Sequence, residues 1–175
     1  MRITIPTWRI ALFALTLGCI LWLGGVHFRA IMGNDLLKTG TLEFEEYLAP
    51  EAEREVFRLM SLASLVIITG YGIVLASSIV FLISTPLKMK EHGWLTMSAV
   101  LYYLFVPVEV FTMYIDGRMI YHEFFTTADN GVFRELFIAR MGALAGTPFI
   151  ALLSYYTIIA IIVFQPLKKP QHHTT

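Results

Sequence analysis

Four long apolar runs dominate the pattern of hydrophobic and polar positions along the chain. They cover about residues 10–28, 57–84, 94–115 and 141–164. Each is close to or above the roughly 20 residues that a helix needs to cross a hydrocarbon core about 30 Å thick. The runs do not alternate between apolar and polar residues, which is typical of membrane helices and unlike barrel strands. The pattern therefore predicts an all-α membrane protein, an up-down bundle of four transmembrane helices.

The first run has the charged start of a secretory signal peptide, because Arg2 and Arg9 precede it. Its apolar part of about 18 residues is longer than the roughly 7–15 residues of a signal-peptide core. We therefore interpret the run as the first transmembrane helix, and cleavage before Cys19 is the alternative.

The composition fits this interpretation. Apolar residues make up 57% of the 175 residues and charged residues 15%, whereas soluble domains carry about 45–50% and about 25%. The formal net charge is zero and no basic block is present, so nucleic acid is not expected as a partner. We expect a single transmembrane domain over residues 1–169 and a disordered tail over residues 170–175.

The distribution of lysine and arginine predicts the orientation. The N-terminus, the turn at residues 85–93 and the C-terminal tail carry Arg2, Arg9, Lys88, Lys90, Lys168 and Lys169. Glu91 is the one acid among them, whereas the two longer loops mix basic residues with most of the acids. Because short cytoplasmic loops are enriched in basic residues, we expect both termini in the cytoplasm, as in a bacterial inner (plasma) membrane protein.

The two outer loops carry helical signals of their own. Residues 41–48 predict a short amphipathic helix with Thr41 as its N-cap. Pro50 suits the first position of a helix, so the second helix is expected to begin there, before the membrane. Residues 132–140 predict a helix that continues into the fourth span. The third helix is expected to extend past the membrane to about Tyr121.

Glu109 is the most informative single residue, because an ionisable group inside a membrane span is costly and suggests a function. Tyr102, Glu109, Asp116 and Glu123 follow one another at seven-residue spacing. Such residues drift by only about 20° per step around a helix, so they form one polar face. The alternative for Glu109 is a buried ion pair that holds the bundle together.

The other helices bring charged residues to the same level, where His27 and Arg29 end the first span. We predict a polar cluster that binds a ligand or ion, made of His27, Arg58, Glu109, Asp116 and Arg140, with Tyr102 and Tyr114 as further candidates. His122 and Glu123 are placed near its rim. The alternative is that Arg58, Asp116 and Arg140 only mark the membrane interface.

Metal and haem sites are weaker possibilities, and no cofactor is firmly predicted. His27, His122 and Glu123 have suitable ligand types for a metal, together with Asp116. Haem needs ligands at a common depth, whereas His27 and His92 lie at opposite membrane faces in this topology.

Small residues suggest where helices approach each other closely. Gly142 and Gly146 form a GxxxG pattern at the start of the fourth span, and Gly72 and Ala76 have the same spacing in the second. We expect internal packing from these ridges, with contact to another membrane protein as the alternative. Pro107 and Pro148 are expected to kink or weaken their helices.

These observations leave three classes of function open. We find no Ser-His-Asp order, CxxC pair or phosphate-binding glycine loop, which favours a non-enzymatic membrane subunit or accessory protein. Such a protein would bind its partner, another membrane protein, through its outer face and helix ridges. The second class is a binder or carrier of a small molecule, ion or proton that uses Glu109. The third is a metal- or haem-binding redox protein.

Overall fold

The computed structural model describes residues 5–38, 41, 43–45, 49–126 and 129–166, and regular structure in these residues is helical. The α-helices are α1 (Thr7–Leu36), α2 (Pro50–Ser84), α3 (Gly93–Leu104), α4 (Val106–Phe125), α5 (Asn130–Met141) and α6 (Thr147–Phe164). A short 3-10 helix covers Ala143–Gly146. The all-α class predicted from the sequence is therefore confirmed for the described residues. The predicted tail at residues 170–175 lies outside them.

Four helical segments of the described chain are long and apolar enough to cross a membrane. They are Thr7–Leu36, Pro50–Ser84, Gly93–Phe125 and Ala143–Phe164. Length and composition are the basis of this assignment, and they match the four runs in the sequence. The first helix is longer than its apolar run, because it continues past Phe28 to Leu36.

The second helix begins at Pro50, where the sequence predicted it. Proline suits the first helical position because the amide hydrogen that it lacks has no partner there. Glu51 and Glu53 lie in the first turn, next to the positive end of the helix dipole.

The third span is broken into α3 and α4 at Phe105, close to Pro107. Phe105 has φ −94° and ψ 0°, and its amide donates to the carbonyl of Tyr102 at 3.2 Å. Pro107 has no amide hydrogen, and its ring crowds the carbonyl four residues earlier, which disfavours a continuous helix. The expected kink is therefore present, two residues before the proline.

The start of the fourth span differs from the prediction. Leu144, Ala145 and Gly146 have φ values of 53°, 50° and 84°, so the segment that carries the GxxxG pattern is not an α-helix. Pro148 lies in the first turn of α6, where it favours a new helix start over continuation. The prediction of a helical small-residue ridge at Gly142 and Gly146 is wrong, and so is the continuous helix from residue 132 into the fourth span.

The first loop also departs from its predicted helix. Glu43 and Glu45 make backbone hydrogen bonds to Lys38 and Leu36, and Phe44 pairs with Leu37 in an isolated antiparallel bridge. In this arrangement the ring of Phe44 contacts the rings of Phe57 and Phe137, and such packing contacts compete with the helical pattern. The predicted helix is therefore wrong for residues 41 and 43–45, and residues 42 and 46–48 lie outside the described part.

The chain divides into two compact units. The first combines Met1–Ser84 with Met113–Met141, and the second combines Thr85–Thr112 with Gly142–Thr175. In the first unit α1 packs along α2, and a hydrophobic core forms near the end of α1. That core contains Leu36, Phe57, Met60, Met119, Phe133, Leu136 and Phe137. In the second unit α3 packs against α6.

Glycine allows α1 and α2 to approach closely at Gly70. A Cβ atom on Gly70 would lie 2.6 Å from the backbone nitrogen of Trp22, so a larger residue would push the helices apart. Gly72 has no such neighbour within 4 Å. The sequence therefore predicted a small-residue contact on the correct helix but placed it two residues too far along.

Candidate functional site

Asp116 is the centre of a buried charged cluster in the first unit. It is 0% exposed, and its carboxylate lies 2.7 Å from Nη1 of Arg29 and 3.2 Å from Nε of Arg140. Nη1 of Arg29 also donates to Oγ of Ser64 at 3.0 Å. We call these four residues the charged cluster, and it joins α1, α2, α4 and α5.

The local structure explains why Arg29 takes part. Because α1 continues for two turns beyond Phe28, Arg29 lies on a packed part of the helix and not at its end. Ser64 donates its own hydroxyl hydrogen to the carbonyl of Met60, so its oxygen can accept from Arg29. Two guanidinium groups therefore share the carboxylate of Asp116.

A second set of ion pairs links the start of α2 to α4 and α5. Oε1 of Glu53 lies 2.6 Å from Nε of Arg134, and its Oε2 accepts from Asn130 at 3.1 Å. Arg54 binds Glu123 at 2.5 Å. We call these five residues the helix-end network.

Both carboxylates of the helix-end network are shielded from solvent. Glu53 and Glu123 are both buried. The hydrogen bond from Arg134 to Glu53 raises the pKa of the guanidinium above its ordinary value, so Arg134 is cationic at all physiological pH values. The network therefore fixes α5 on α2 as a permanently charged contact.

Glu109 forms a different kind of contact in the second unit. Oη of Tyr155 donates to its Oε1 at 2.9 Å, and Tyr155 and Glu109 are only 5% and 9% exposed. The break at Phe105 places Glu109 in the first turn of α4, next to the positive end of that helix. The ring of Tyr155 also contacts the rings of Tyr102 and Phe105. We call Glu109 and Tyr155 the phenol–carboxyl pair.

The structure brings together only some of the residues in the predicted cluster. Asp116 meets Arg140 as expected, but the place predicted for His27 and Arg58 is taken by Arg29. His27 is exposed, and its Nδ1 lies 2.6 Å from the carbonyl of Leu23 in its own helix. Arg58 pairs with Glu55 at 3.4 Å on an exposed surface, because both lie on the same side of α2.

Two aromatic candidates have different surroundings. Tyr114 is 65% exposed, so it does not line a buried site. Tyr102 is buried and lies with Tyr155, as described above. Tyr155 itself was missed as a candidate, because a tyrosine in an apolar run is also typical of a membrane-interface anchor.

The weakly predicted metal set is not assembled. The ring nitrogens of His122 lie 2.9 Å from the carbonyl of Asp129 and 2.9 Å from the hydroxyl of Thr126. Glu123 is bound to Arg54. Within the described residues no group of three or more His, Cys, Asp or Glu side chains could hold a metal ion. The prediction that His27, His122 and Glu123 meet is therefore wrong.

An apolar groove of about 330 Å³ lies along α1 and α2 in the first unit. It is lined by Gly24, Gly25, Phe28, Leu59, Leu62, Ala63 and Val66. A Cβ atom on Gly24 would meet no other atom within 4 Å, so this glycine opens directly into the groove. We call this surface the α1–α2 groove.

These features offer three possible modes of interaction, namely permanent ion pairing, hydrogen bonding by a buried carboxyl group, and contact through an open apolar surface.

No family model matches the chain, and no curated protein or solved structure gives a significant match. Function is therefore inferred from these contacts alone.

Proposed function

We propose that the chain is a non-enzymatic, multi-pass subunit of a membrane protein complex and that it binds its partner through the α1–α2 groove. The observation that carries this proposal is the groove itself, an apolar surface whose lining includes the small residues Gly24, Gly25 and Ala63. Helices in a bilayer associate by close packing, and small residues permit that approach. A transmembrane helix of a partner fits such a surface.

The surroundings of the deep polar residues support a binding role over an enzymatic one. Asp116, Glu53 and Glu123 each bind arginine, so these carboxylates hold helices in place. Buried ion pairs of this kind favour one arrangement of helices and leave the apolar surfaces for contact with lipid or protein.

The proposal places the chain in a bacterial inner membrane with both termini in the cytoplasm. Lys88 and Lys90 in the short turn between α2 and α3 support this orientation. The loop that contains Glu43 and Glu45 would then face the opposite compartment. Labelling of single cysteines introduced at Lys88 and Glu45 tests the orientation, and equal access from one side would overturn it.

The groove is tested by the matched substitutions Gly24→Leu and Gly72→Leu. Both glycines are exposed, and a Cβ atom added to either would have no neighbour within 4 Å, so neither leucine disturbs the contact between α1 and α2. Gly24 lines the groove, whereas Gly72 does not.

The measurement is quantitative recovery of copurifying proteins in mild detergent from the native host. We expect Gly24→Leu to abolish recovery of a specific stoichiometric partner and Gly72→Leu to leave it unchanged. A chain that purifies without a partner, or equal recovery with both variants, would contradict the proposal.

A second candidate function rests on the phenol–carboxyl pair. A carboxyl group that is nine-tenths buried in a membrane span and held by a phenol can bind a proton or a cation. Flux measurements in proteoliposomes test this function. A proton or cation flux that is present in the native protein and lost in Glu109→Gln would favour a carrier. Absence of any flux in the native protein would contradict this second function.

A further inference from the structure

The C-terminal part of α4 buries polar side chains and exposes aromatic ones. It follows the apolar run that ends near residue 115. His122 and Glu123 are buried on its packed face beside Met119. On the opposite face Tyr121 and Phe125 are 62% and 73% exposed. A helix in water normally packs its apolar side and exposes its polar side, so an exposed aromatic surface of this kind is typical of a contact with another molecule.

Four residues of the exposed face have the spacing of a hole that accepts a side chain from a facing helix. They are Tyr114, Gly117, Arg118 and Tyr121, at positions i, i+3, i+4 and i+7. A Cβ atom on Gly117 would meet no atom within 4 Å outside the local helix backbone, so the space beside it is open. The rings of Tyr121 and Phe125 stack with centroids 5.7 Å apart and extend the surface by one turn. We call these five residues the aromatic α4 face.

The lipid interface can cover only one end of the aromatic α4 face. Tyrosine is enriched where a membrane meets water, so Tyr114 near the end of the apolar run fits such a belt. From Tyr114 to Phe125, however, α4 advances about 16 Å along its axis. One interfacial layer of a bilayer is only about 5–8 Å thick. The part of the face near Phe125 therefore needs a cover other than lipid.

Arg118 determines the charge that a binding partner must carry. It lies in the middle of the aromatic α4 face and is exposed. The ion pairs of the described residues join other basic side chains, so no carboxylate in the described part of the chain pairs with Arg118. A guanidinium group presents a fork of donors that matches a carboxylate. The complementary surface therefore carries an acidic side chain.

A second copy of the chain does not complement this face. Two copies in one bilayer have the same orientation, so a two-fold contact along α4 brings each residue to the height of its own equivalent. Arg118 would then face Arg118 of the other copy, and contact between like charges is unfavourable. The charge therefore favours a different protein.

We propose that the aromatic α4 face binds a helix of a second protein that carries an acidic side chain between apolar ones. The acidic side chain enters the hole and pairs with Arg118, and apolar residues one turn away contact Tyr121 and Phe125. This surface is separate from the proposed partner site, because none of its residues lines the α1–α2 groove. It is also independent of the compartment that the face meets.

The test is site-specific photo-crosslinking of the full-length chain in membranes of the native host. The photoreactive residue p-benzoylphenylalanine replaces Phe125 in one sample. In the control sample it replaces Phe13, which is 70% exposed on α1 and lies outside the α1–α2 groove. Mass spectrometry of the products identifies the cross-linked segment.

We expect the probe at Phe125, and not the probe at Phe13, to give a product with one protein. The cross-linked segment should be a helix in which Asp or Glu lies within one turn of apolar residues. Products with lipid alone, products with a second copy of the chain, or no product from the probe at Phe125 would overturn the proposal.

Substitutions in the hole test the charge and the open space separately. We expect Arg118→Glu to lower the yield of this product at least about tenfold, because two carboxylates would then meet. Exchange of the partner's acidic residue for Lys should restore the yield with Arg118→Glu. Full yield with Arg118→Glu, or no restoration by the exchange, would overturn the pairing.

Gly117→Leu fills the hole and should also abolish the product. Gly72→Leu is its matched control, because Gly72 likewise has no neighbour within 4 Å and lies on α2. Equal yields with these two variants would overturn the proposal. Thermal unfolding of each purified variant verifies that it folds. If Arg118→Glu does not fold, Arg118→Gln replaces it, and an unchanged yield with that variant would overturn the proposal as well.

Discussion

Asp116 and Glu109 are carboxylic acids seven residues apart on α4, and the structure surrounds them in different ways. Asp116 lies against two guanidinium groups in the first unit. Glu109 accepts a hydrogen bond from the phenol of Tyr155 in the second unit. Position in the sequence pattern therefore does not determine the chemistry of a buried acid, since both residues belong to the same seven-residue series.

The difference has a physical consequence. A carboxylate between two arginines interacts with the charge of both, so an uncharged side chain at this position would weaken both contacts. A phenol hydroxyl can donate to a carboxylate or to the carbonyl oxygen of a protonated acid. Asp116 is thus suited to holding helices together by charge, whereas the hydrogen bond from Tyr155 does not itself require a charge on Glu109.

The largest expected effect comes from Asp116→Asn. The substitution keeps the size of the side chain but leaves Arg29 and Arg140 buried without their common carboxylate. We expect a loss of ~3–5 kcal/mol in the free energy of unfolding. Chemical denaturation in mixed micelles measures it.

The control for this prediction is Asp35→Asn, the same chemical change at an exposed position on α1. Its effect should lie within about 0.5 kcal/mol of zero. A loss for Asp116→Asn that is no larger than the loss for Asp35→Asn would show that the two arginines do not depend on Asp116.

Glu53 is an intermediate case, and Arg134→Leu tests it. Glu53 is buried but keeps the amide of Asn130 as a second partner, and Arg134 is itself partly exposed. We expect destabilisation by about 1–2 kcal/mol, less than for Asp116→Asn, because one hydrogen bond to the carboxylate survives. Arg118→Leu, at an exposed position, is the matched control. A larger loss for Arg134→Leu than for Asp116→Asn would mean that the helix-end network contributes more to stability than the charged cluster does.

The sequence predicts the four long helices well, because a long apolar run without alternation is compatible with few structures other than a helix. It fails where packing competes with the pattern. The polar residues Arg29 and Asp35 interrupt the hydrophobic run, although α1 continues through both to Leu36. At residues 142–146 a GxxxG spacing suggested a helix, but the backbone turns through positive φ values before Pro148.

The candidate sites are predictable only in part for a related reason. Periodicity shows which face of α4 is polar, so it finds Glu109 and Asp116. It does not show which residue on another helix faces them, because the register between helices depends on close contacts such as that of Gly70 with Trp22. Arg29 and Tyr155 were therefore not identified, although both have a side chain able to bind a carboxylate.

Tyr155→Phe removes the hydroxyl that binds Glu109 and keeps the ring contacts with Tyr102 and Phe105. We expect a loss of about 0.5–1.5 kcal/mol, typical of one hydrogen bond between helices. The matched control is Tyr114→Phe at an exposed site on α4, which should be close to neutral. A neutral Tyr155→Phe would show that the phenol does not stabilise Glu109.

The smallest effect is expected for Glu109→Gln, and it is the sharpest test of the comparison. An amide oxygen at this position can still accept from Tyr155, so the loss should stay below about 1 kcal/mol. In a double-mutant cycle with Tyr155→Phe, most of the coupling between the two positions should persist when residue 109 is Gln. A loss similar to that of Asp116→Asn would mean that Glu109, like Asp116, is required as an anion beside a cation. In that case the contrast between the two acids would no longer hold.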